Sequence, residues 1–296
     1  MPGKLYEQLR SVAFCLLDSF YHCIHPIKVH NTDETLQALI HTDKSISRVG
    51  DGELDMIYGI DLKFQVCSPE ISKRMAEILS GKNVPDNLMV AIPKAWTSHR
   101  GFTRKSVAWW SEYMYYNRNR IYPLLNPDYH YYDAQVTRIY INRKNKADSA
   151  RYFSLWKQVW EGKDVLLVEG ESSRMGVGND LLHGAKSVRR ILCPAKNAYS
   201  CFEEIKAAVH RHARQDTLVL LLLGPTATLM AADLAAEGVR VVDTGNLDME
   251  YEWLKMNATR QSKVAGKYSH EVTGGNTVEA INDEKYASEI IDRVGC

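Results

Sequence analysis

The stretch of sequence that most constrains the fold is residues 216–253, in which apolar runs alternate with helical spacing. Residues 218–223 form an unbroken apolar run, which is typical of a strand buried on both faces of a sheet. After a Gly-Pro break, apolar residues recur at helical spacing until Gly238, and residues 239–242 form a second apolar strand. A strand, a helix and a strand within about thirty residues indicate a right-handed crossover between parallel strands.

The same alternation extends over most of the chain. Strand and helix patterns alternate four times from Asp164 onward, and earlier strands are predicted at 45–49 and 88–92. This predicts an α/β fold with a Rossmann-like, mostly parallel, doubly wound sheet. We expect a single domain over residues 45–296, preceded by an N-terminal helical segment over residues 1–44. The patterns also predict a strand over 136–141, a helix over about 181–187 and a closing helix over 286–294.

Charge balance and cysteine spacing narrow the class of protein. The 37 basic and 36 acidic residues give a formal charge of +1, whereas duplex-binding proteins usually carry a concentrated basic excess. We therefore expect no nucleic-acid partner. The six cysteines are scattered and form no C-x-x-C pair, which favours buried thiols over a disulfide framework and predicts a cytoplasmic protein. The sequence contains neither a G-x-S-x-G elbow nor a kinase signature.

The N-terminal residues predict an amphipathic helix. Residues 5–24 carry an apolar stripe that includes Leu16 and Phe20, but Arg10 and Asp18 interrupt it. Such a helix is too polar to span a bilayer, and the pattern is not that of a signal peptide. The favoured interpretation is packing on the body of the protein or a subunit contact in a homo-oligomer. The alternative is contact with a membrane surface.

An aromatic segment lies between the two halves of the predicted sheet. Residues 96–132 contain three tryptophans and seven tyrosines, with arginines interleaved among them. One interpretation is a platform that stacks on a sugar or a base while arginines pair with phosphates. The other is a helix with a buried aromatic face followed by a loop. The sequence leaves both open.

The first loop expected at the carboxyl edge of the sheet contains Arg48, Gly50, Asp51 and Glu53. The glycines on either side of Asp51 allow a tight turn between a strand and a helix. Two carboxylates two residues apart in a loop can share a hard cation such as Mg²⁺ or Mn²⁺. The alternative is structural, with Asp51 capping the following helix and Glu53 in its first turn.

A second loop follows the buried strand at 164–168. Backbone N–H groups of a glycine-bearing loop can bind anions, and an arginine can add a charged fork to a diphosphate. The loop matches neither G-x-G-x-x-G nor a P-loop, so neither NAD nor a kinase-type phosphate site is indicated. The alternative is an ordinary turn that caps a helix. The candidate ligand-binding residues in this loop are Arg174, Gly176, Gly178, Asn179 and Asp180.

The third set of candidate residues at the carboxyl edge of the sheet lies within residues 216–253. Gly224, Pro225 and Thr226 begin a helix without bulky side chains, which suits a phosphate or a ribose. Asp243 ends the next strand and can accept hydrogen bonds from a ribose or bind a metal. Asp248 and Glu250 follow in an acidic turn. Because aspartate is a preferred helix cap, capping and ligand binding both remain open for Asp248.

Four blocks of sequence together are more specific than any of these loops. In chain order they are RVGDGEL at 48–54, VEGESSRMGVGNDLL at 168–182, LLLGPTATLMAADLAAEG at 221–238 and VVDTGNLDMEYEW at 241–253. Through these blocks the chain resembles the GT-D type of glycosyltransferase, a bacterial family that was long a domain of unknown function. The resemblance covers about residues 45–294, and a Gly-Lys-Tyr segment around Lys267 belongs to it as well.

The resemblance implies a fold, a reaction and a cofactor. It implies a Rossmann-like core that binds a nucleotide sugar, with a UDP-sugar expected, and a glycan or glycoprotein acceptor in surface polysaccharide or glycoprotein synthesis. It also implies a divalent metal, Mn²⁺ or Mg²⁺, and a D-x-E motif. Asp51 with Glu53 and Asp248 with Glu250 both fit that motif. We favour the first pair as catalytic and metal-binding, because flanking glycines leave its carboxylates free.

The chain departs from the family pattern at Asn246, where members often carry histidine. Asparagine can hydrogen-bond but cannot act as a base near neutral pH, so Asn246 is the third catalytic candidate and the one that bears on activity. The alternatives to a transferase are a nucleotide or sugar-phosphate hydrolase and a non-catalytic nucleotide-binding module.

Overall fold

The structure is a computed structural model that describes residues 2–24, 26–275 and 277–295, with side chains described from Leu9 onward. Its strands are β1 Ser45–Arg48, β2 Leu88–Ile92, β3 Tyr132–Asp133, β4 Asp164–Gly170, β5 Ser187–Cys193, β6 Thr217–Leu222, β7 Val241–Asp243 and β8 Ile290–Arg293. They form one sheet in the order β3-β2-β1-β7-β6-β4-β5-β8, and every pairing is parallel. The predicted α/β class and Rossmann-like sheet are confirmed.

The helices cover both faces of this sheet. They are α1 Pro2–Ile24, α2 Thr32–His41, α3 Asp51–Ile57, α4 Pro69–Leu79, α5 Arg104–Ile121, α6 Lys146–Val159, α7 Phe202–His212, α8 Pro225–Ala236, α9 Leu247–Lys255 and α10 Glu284–Glu289. Successive residues of β4 alternate between two apolar cores: Leu166 packs with residues of α4, α7 and α8, and Leu167 packs with residues of α2, α6 and α9. Burial on both faces is why β2 and the inner residues of β4 and β6 are apolar.

Three local predictions are wrong, each for a tertiary reason. Residues 136–141 are not a strand, because the Glu250 carboxylate accepts the N–H groups of Tyr140 and Ile141. Residues 181–186 form turns and Ser187 begins β5, since side chains of Asn179 and Trp160 hydrogen-bond to the backbone of Leu181. The closing segment is the short helix α10 followed by β8, which pairs with β5.

The N-terminal helices attach to the body in different ways. Helix α2 is part of the core, with Leu36 and Leu39 fully buried, and Thr32 donates a hydrogen bond to Asp133. Helix α1 packs along α5, and its apolar stripe faces solvent. No helix in the described part of the chain is long and apolar enough to cross a membrane.

The aromatic segment and the cysteines can be placed as well. Helix α5 buries Trp110 and Met114 against the core and exposes Trp109, which agrees with the second interpretation of residues 96–132, a helix with a buried aromatic face. Four cysteines are free thiols, as expected: Cys15, Cys23, Cys67 and Cys193. Of these four, Cys193 alone is buried as predicted, and Cys23 is exposed. Cys201 is disulfide-bonded, which the cysteine spacing did not predict.

Candidate active site

A cleft lies at the carboxyl edge of the sheet, where the loops after β4, β5, β6 and β7 converge. Its cavity volume is about 120 Å³. Ligand pockets usually measure roughly 300 Å³ or more, so a nucleotide-sized ligand requires the walls to move apart. The residues that line it include Phe64, Gly170, Ser173, Ala195, Gly224, Gly245, Asn246, Asp248, Tyr268 and His270.

Gly224 shapes one wall of the cleft, at the start of α8. Its backbone has φ 55° and ψ −140°, a conformation that only glycine adopts without strain. A Cβ atom at this position would also lie 2.9 Å from the Phe64 ring. Pro225 and Thr226 are buried behind it, and Thr226 donates a hydrogen bond to Gln65. The amino end of a twelve-residue helix therefore lies beside the cleft, where its dipole favours an anion.

Arg48 and Asp243 join the adjacent strands β1 and β7 at this edge. The guanidinium of Arg48 donates to the Asp243 carboxylate at 2.8 Å and to the Asp243 carbonyl at 3.1 Å. The same carboxylate accepts the N–H of Gly245. A Cβ atom on Gly245 would lie 2.0 Å from the Arg48 guanidinium, so the loop after β7 needs glycine here. The two charges offset each other, and the pair is a rigid part of the site.

Asp51 and Glu53 lie side by side in sequence but in different environments. Asp51 is exposed in the first turn of α3, and its carboxylate makes no hydrogen bond or ion pair to another described residue. Glu53 is half-buried in the first turn of α3, as the structural alternative has it, and its carboxylate accepts the N–H of Gly50 at 2.8 Å. The N-cap of α3 is Gly50, so the capping role expected of Asp51 in that alternative is wrong. Burial raises the pKa of Glu53 to about 7, and the nearby carboxylates of Asp243 and Asp51 also raise it.

Asp248 is the centre of a buried polar network and does not cap α9. The N-cap residue is Asn246. One oxygen of the Asp248 carboxylate accepts the N–H of Gly176 and the amide of Asn179, both at 2.9 Å. The other oxygen accepts the Lys267 ammonium at 2.6 Å. Through Asp248, this network joins Gly176 and Asn179 of the second loop to Lys267, a candidate that lies far away in the sequence.

Glu250 contacts a different element from Asp248. One of its oxygens accepts the backbone N–H groups of Tyr140 and Ile141. The other oxygen, Oε1, is buried and has no hydrogen-bond partner among the described residues. Burial raises the pKa of Glu250. Asp248 and Glu250 therefore point to separate parts of the structure, and they do not share one pocket here.

The remaining residues of the second loop lie away from the first cleft. Arg174 donates to the carbonyls of Gly266 and Glu279, and so holds the C-terminal segment. Asp180 pairs with Lys157 and accepts the hydroxyl of Tyr251. A second cavity of about 430 Å³ is lined by Gly176, Gly178, Asn179, Asp180, Arg190, Lys255 and Tyr286, among others.

Sequence reasoning missed a polar group beside Asn246. The Asn246 amide donates to Glu271 at 2.6 Å, and the Arg138 guanidinium forms a two-pronged pair with the same carboxylate. Burial opposes the charged form of Glu271, but Arg138 outweighs it and lowers the pKa to about 2. The adjacent His270 stacks on Phe64, and burial lowers its pKa.

The missed residues carried little signal in the sequence. Arg138 lies in the stretch predicted as a strand, and His270 and Glu271 lie in a polar segment that reads as a loop. None of them belongs to a recognisable catalytic motif. The sequence held one hint that this polar segment returns to the site, namely its adjacent histidine and glutamate between glycines.

The carboxylates fit a divalent cation only in part. Within the described ranges, no three His, Cys, Asp or Glu side chains are grouped so that they could hold a metal. Asp248 has protein donors on both oxygens, and Glu250 is fully buried. Asp51 is the candidate whose carboxylate has no protein partner in the described part of the chain. A cation at this edge would therefore take Asp51 from the protein and further oxygen ligands from a diphosphate.

Comparison with known proteins identifies the family. The family model described as the glycosyltransferase GT-D fold matches residues 46–272. The chain belongs to the GT-D family. This membership confirms the resemblance drawn from the four sequence blocks and places the chain among sugar-transferring enzymes, the predicted enzyme class.

Two streptococcal proteins are similar over most of this GT-D chain. It is 37% identical over 265 residues to a probable glycosyl transferase, Gly, of Streptococcus gordonii, which covers 90% of this chain and 38% of that protein. It is 36% identical over 268 residues to the glycosyltransferase GlyD of Streptococcus pneumoniae serotype 4 strain TIGR4, covering 90% of this chain and 33% of that one. The chain thus spans about a third of the length of each relative.

Solved structures share the fold over their whole length. A glycosyltransferase from Streptococcus sanguinis superposes with a TM-score of 0.85 at 36% identity, covering 91% of this chain and all of that one. A structure described as a highly conserved domain of unknown function 1792 with a distinct glycosyltransferase fold gives a TM-score of 0.87 at 31% identity, with 96% and 100% coverage.

Proposed function

We propose that this GT-D chain transfers a sugar from a nucleotide-diphosphate sugar, a UDP-sugar first of all, to a hydroxyl of a glycan or glycoprotein. The process served would be synthesis of surface polysaccharide or glycoprotein. The observation that carries the proposal is the cleft at the carboxyl edge, with the amino end of α8 on one side and Asp51 and Glu53 following the nearby strand β1.

The donor's leaving group sets the first chemical requirement. The bond between the anomeric carbon and the diphosphate oxygen breaks, and negative charge builds on the diphosphate. The partial positive charge at the amino end of α8 stabilises that charge. The donor would enter when Phe64 and His270, which stack at a centroid distance of 4.2 Å, move away from Gly224.

The acceptor sets the second requirement. Its hydroxyl oxygen forms the new bond to the anomeric carbon and loses its proton. Glu53 is suited to take that proton, because a base acts best when its pKa is close to the working pH and its pKa is about 7. Asn246 cannot take it, but its contact with Glu271 holds the loop beside the cleft.

Metal assistance is part of the proposal. Asp51 would hold Mn²⁺ or Mg²⁺ together with the diphosphate, and the cation would offset the charge of the leaving group. Glu53, Asp248 and Glu250 stay predicted ligands whose present contacts fit that role less well.

Binding is tested by a thermal-shift panel of nucleotide sugars with and without Mn²⁺. We expect a UDP-sugar to raise the melting temperature, and Mn²⁺ to raise it further, because a ligand that binds only the folded state stabilises it. Stabilisation without turnover of any donor would favour the non-catalytic module. Release of free sugar without transfer to an acceptor would favour the hydrolase.

Catalysis is tested by Asp51→Ala and Glu53→Ala in a sugar-transfer assay. We expect each change to lower kcat by about 100-fold or more, the usual effect of losing a catalytic charge or base. The matched control is Asp55→Ala, which removes a carboxylate from the same helix that pairs only weakly with Arg120 at 3.9 Å. Near-normal turnover in both test variants would contradict the assignment.

A further inference from the structure

Helix α1 has an inverted arrangement of polar and apolar faces. Its inner face carries Phe14, Asp18 and His22 toward α5, and Asp18 is fully buried. The Asp18 carboxylate lies 3.0 Å from His99 and 3.5 Å from Arg118. The charged cluster therefore fastens the helix to the body, and the apolar stripe is left on the outside.

The outer stripe is continuous over four turns of α1. Its members are Leu9, Val12, Leu16, Phe20 and Ile24, each 50 to 68% exposed. They leave roughly 550 Å² of apolar surface to solvent, as much as the largest patches on typical monomers, which usually mark an interaction site.

The spacing of the stripe is symmetric about Leu16. Val12 and Phe20 lie four residues before and after it, and Leu9 and Ile24 lie seven and eight residues away. If two copies of α1 cross antiparallel at Leu16, the small Val12 meets the large Phe20 of the partner subunit, and Leu9 meets the partner's residues near Ile24. A two-fold axis requires this kind of self-complementary surface.

Area and charge favour a second copy over a lipid surface. Complete burial of two such faces would remove about 1,100 Å² from solvent, which reaches the ~1,000 Å² expected of a biological interface. Membrane-surface helices carry Lys and Arg on their polar face. Between Leu9 and Ile24 the sequence has a single such residue, Arg10, and it pairs with Glu112 at 3.2 Å.

We propose that the outer face of α1 is a homodimer interface, in which two copies of this chain pair antiparallel through Leu9, Val12, Leu16, Phe20 and Ile24. The pairing lies on α1, outside the cleft, and does not depend on the proposed reaction.

Sedimentation of the full chain over a wide range of concentrations tests the pairing. We expect a species of twice the 33.7 kDa chain mass. Leu16→Glu places two like charges on the two-fold axis and should raise the dissociation constant about 100-fold or more. Met256→Glu, at a residue 51% exposed at the end of α9, is the matched control and should leave the dimer intact. Thermal melts of each variant check that it folds.

Disulfide trapping tests the antiparallel register. Cys23 is a free, exposed cysteine, and it lies as far after Leu16 as Leu9 lies before it. Leu9→Cys should therefore cross-link to Cys23 of the partner subunit under mild oxidation, and combination with Cys23→Ser should abolish the cross-link. These variants are made with Cys15, the other free cysteine of α1, changed to Ser. In that background, a cross-link that survives Cys23→Ser would indicate parallel helices and overturn the register.

Three results would overturn the dimer itself. They are a monomer at every concentration, a dimer that Leu16→Glu leaves unchanged, and a monomer that sediments with vesicles of anionic and zwitterionic phospholipid. The last result would assign the stripe to a membrane surface instead.

Discussion

The role inferred for Glu53 depends on its surroundings in the folded structure. In the sequence it is one half of a D-x-E pair with Asp51. In the structure the two carboxylates differ, because Asp51 is exposed and Glu53 is half-buried, with one oxygen on the N–H of Gly50. Burial raises the Glu53 pKa to about 7, which suits proton transfer near neutral pH.

Glu53→Gln should remove a pH dependence of activity. In the wild type, a proton occupies Glu53 below about pH 7, so kcat/KM should fall as the pH is lowered from 8 to 6. In Glu53→Gln the rate should be lower by about 100-fold or more, and the fall of kcat/KM between pH 8 and pH 6 should be absent. The measurement is a pH–rate profile of both proteins, and an unchanged acidic limb in the variant would assign the base elsewhere.

The same substitution should change stability in a pH-dependent way. The pKa of Glu53 is raised by folding from 4.5 to about 7, so its stabilising contribution is complete below 4.5 and is lost as the pH rises through 7. Glu53→Gln does not titrate. Relative to the wild type, the variant should therefore gain about 3 kcal/mol in unfolding free energy between pH 4.5 and pH 8. Urea unfolding at both pH values measures this difference, and a constant difference would contradict the raised pKa.

At the scale of elements, one polar segment closes the site. Residues 257–275 and 277–283 form no helix or strand, yet Lys267 and Ser269 among them are buried. Lys267 binds the Asp248 carboxylate at 2.6 Å and that of Glu252 at 2.9 Å, and Arg174 binds the carbonyl of Gly266. These contacts hold Tyr268 and His270 in the wall of the cleft.

Lys267→Ala should be strongly destabilising. It leaves the buried carboxylates of Asp248 and Glu252 without their cation, and the loss of one partner from a buried ion pair costs about 3 to 5 kcal/mol. Lys263→Ala is the control, because Lys263 is an exposed lysine of the same segment, and its loss should change the free energy of unfolding by less than about 0.5 kcal/mol. Equal stability of the two variants would show that the segment is held by other contacts.

At the scale of the whole molecule, the N-terminal region divides into two unlike parts. Helix α1 attaches through its polar inner face, whereas α2 contributes Leu36 and Leu39 to the core and Thr32 to a hydrogen bond with Asp133. A boundary between residues 44 and 45 stays a prediction, and the packing of α2 argues for a boundary before it.

Two truncations separate these boundaries. Removal of residues 1–26 should leave a body that unfolds cooperatively, because the core loses only Phe14 from the described part of α1. Removal of residues 1–44 should cost a further ~4 kcal/mol or more, since two fully buried leucines are lost. Urea unfolding measures both, and equal stability would restore the boundary at residue 44.

The sequence by itself determined the class of fold and the family, and it predicted which edge of the sheet carries the candidate site. Strands buried on both faces are mostly apolar, so the strands at residues 218–223 and 164–168 could be predicted from the sequence without any contact information. The polar loops that follow such strands have to meet at one edge, which is why Gly224 and Asn246 were found to line one cleft.

Only the tertiary structure decided what each charged residue does. The two D-x-E pairs are alike in local sequence, but their carboxylates have different partners. The Asp248 carboxylate accepts hydrogen bonds from Lys267 and Asn179. The Glu250 carboxylate accepts the backbone N–H of Tyr140, about a hundred residues away in the sequence. The apolar stripe of α1 likewise has the spacing of an inward face, and the buried cluster at Asp18 turned it outward. Periodicity records which residues share a face, while burial and charge partners, which come from distant parts of the chain, decide where that face points.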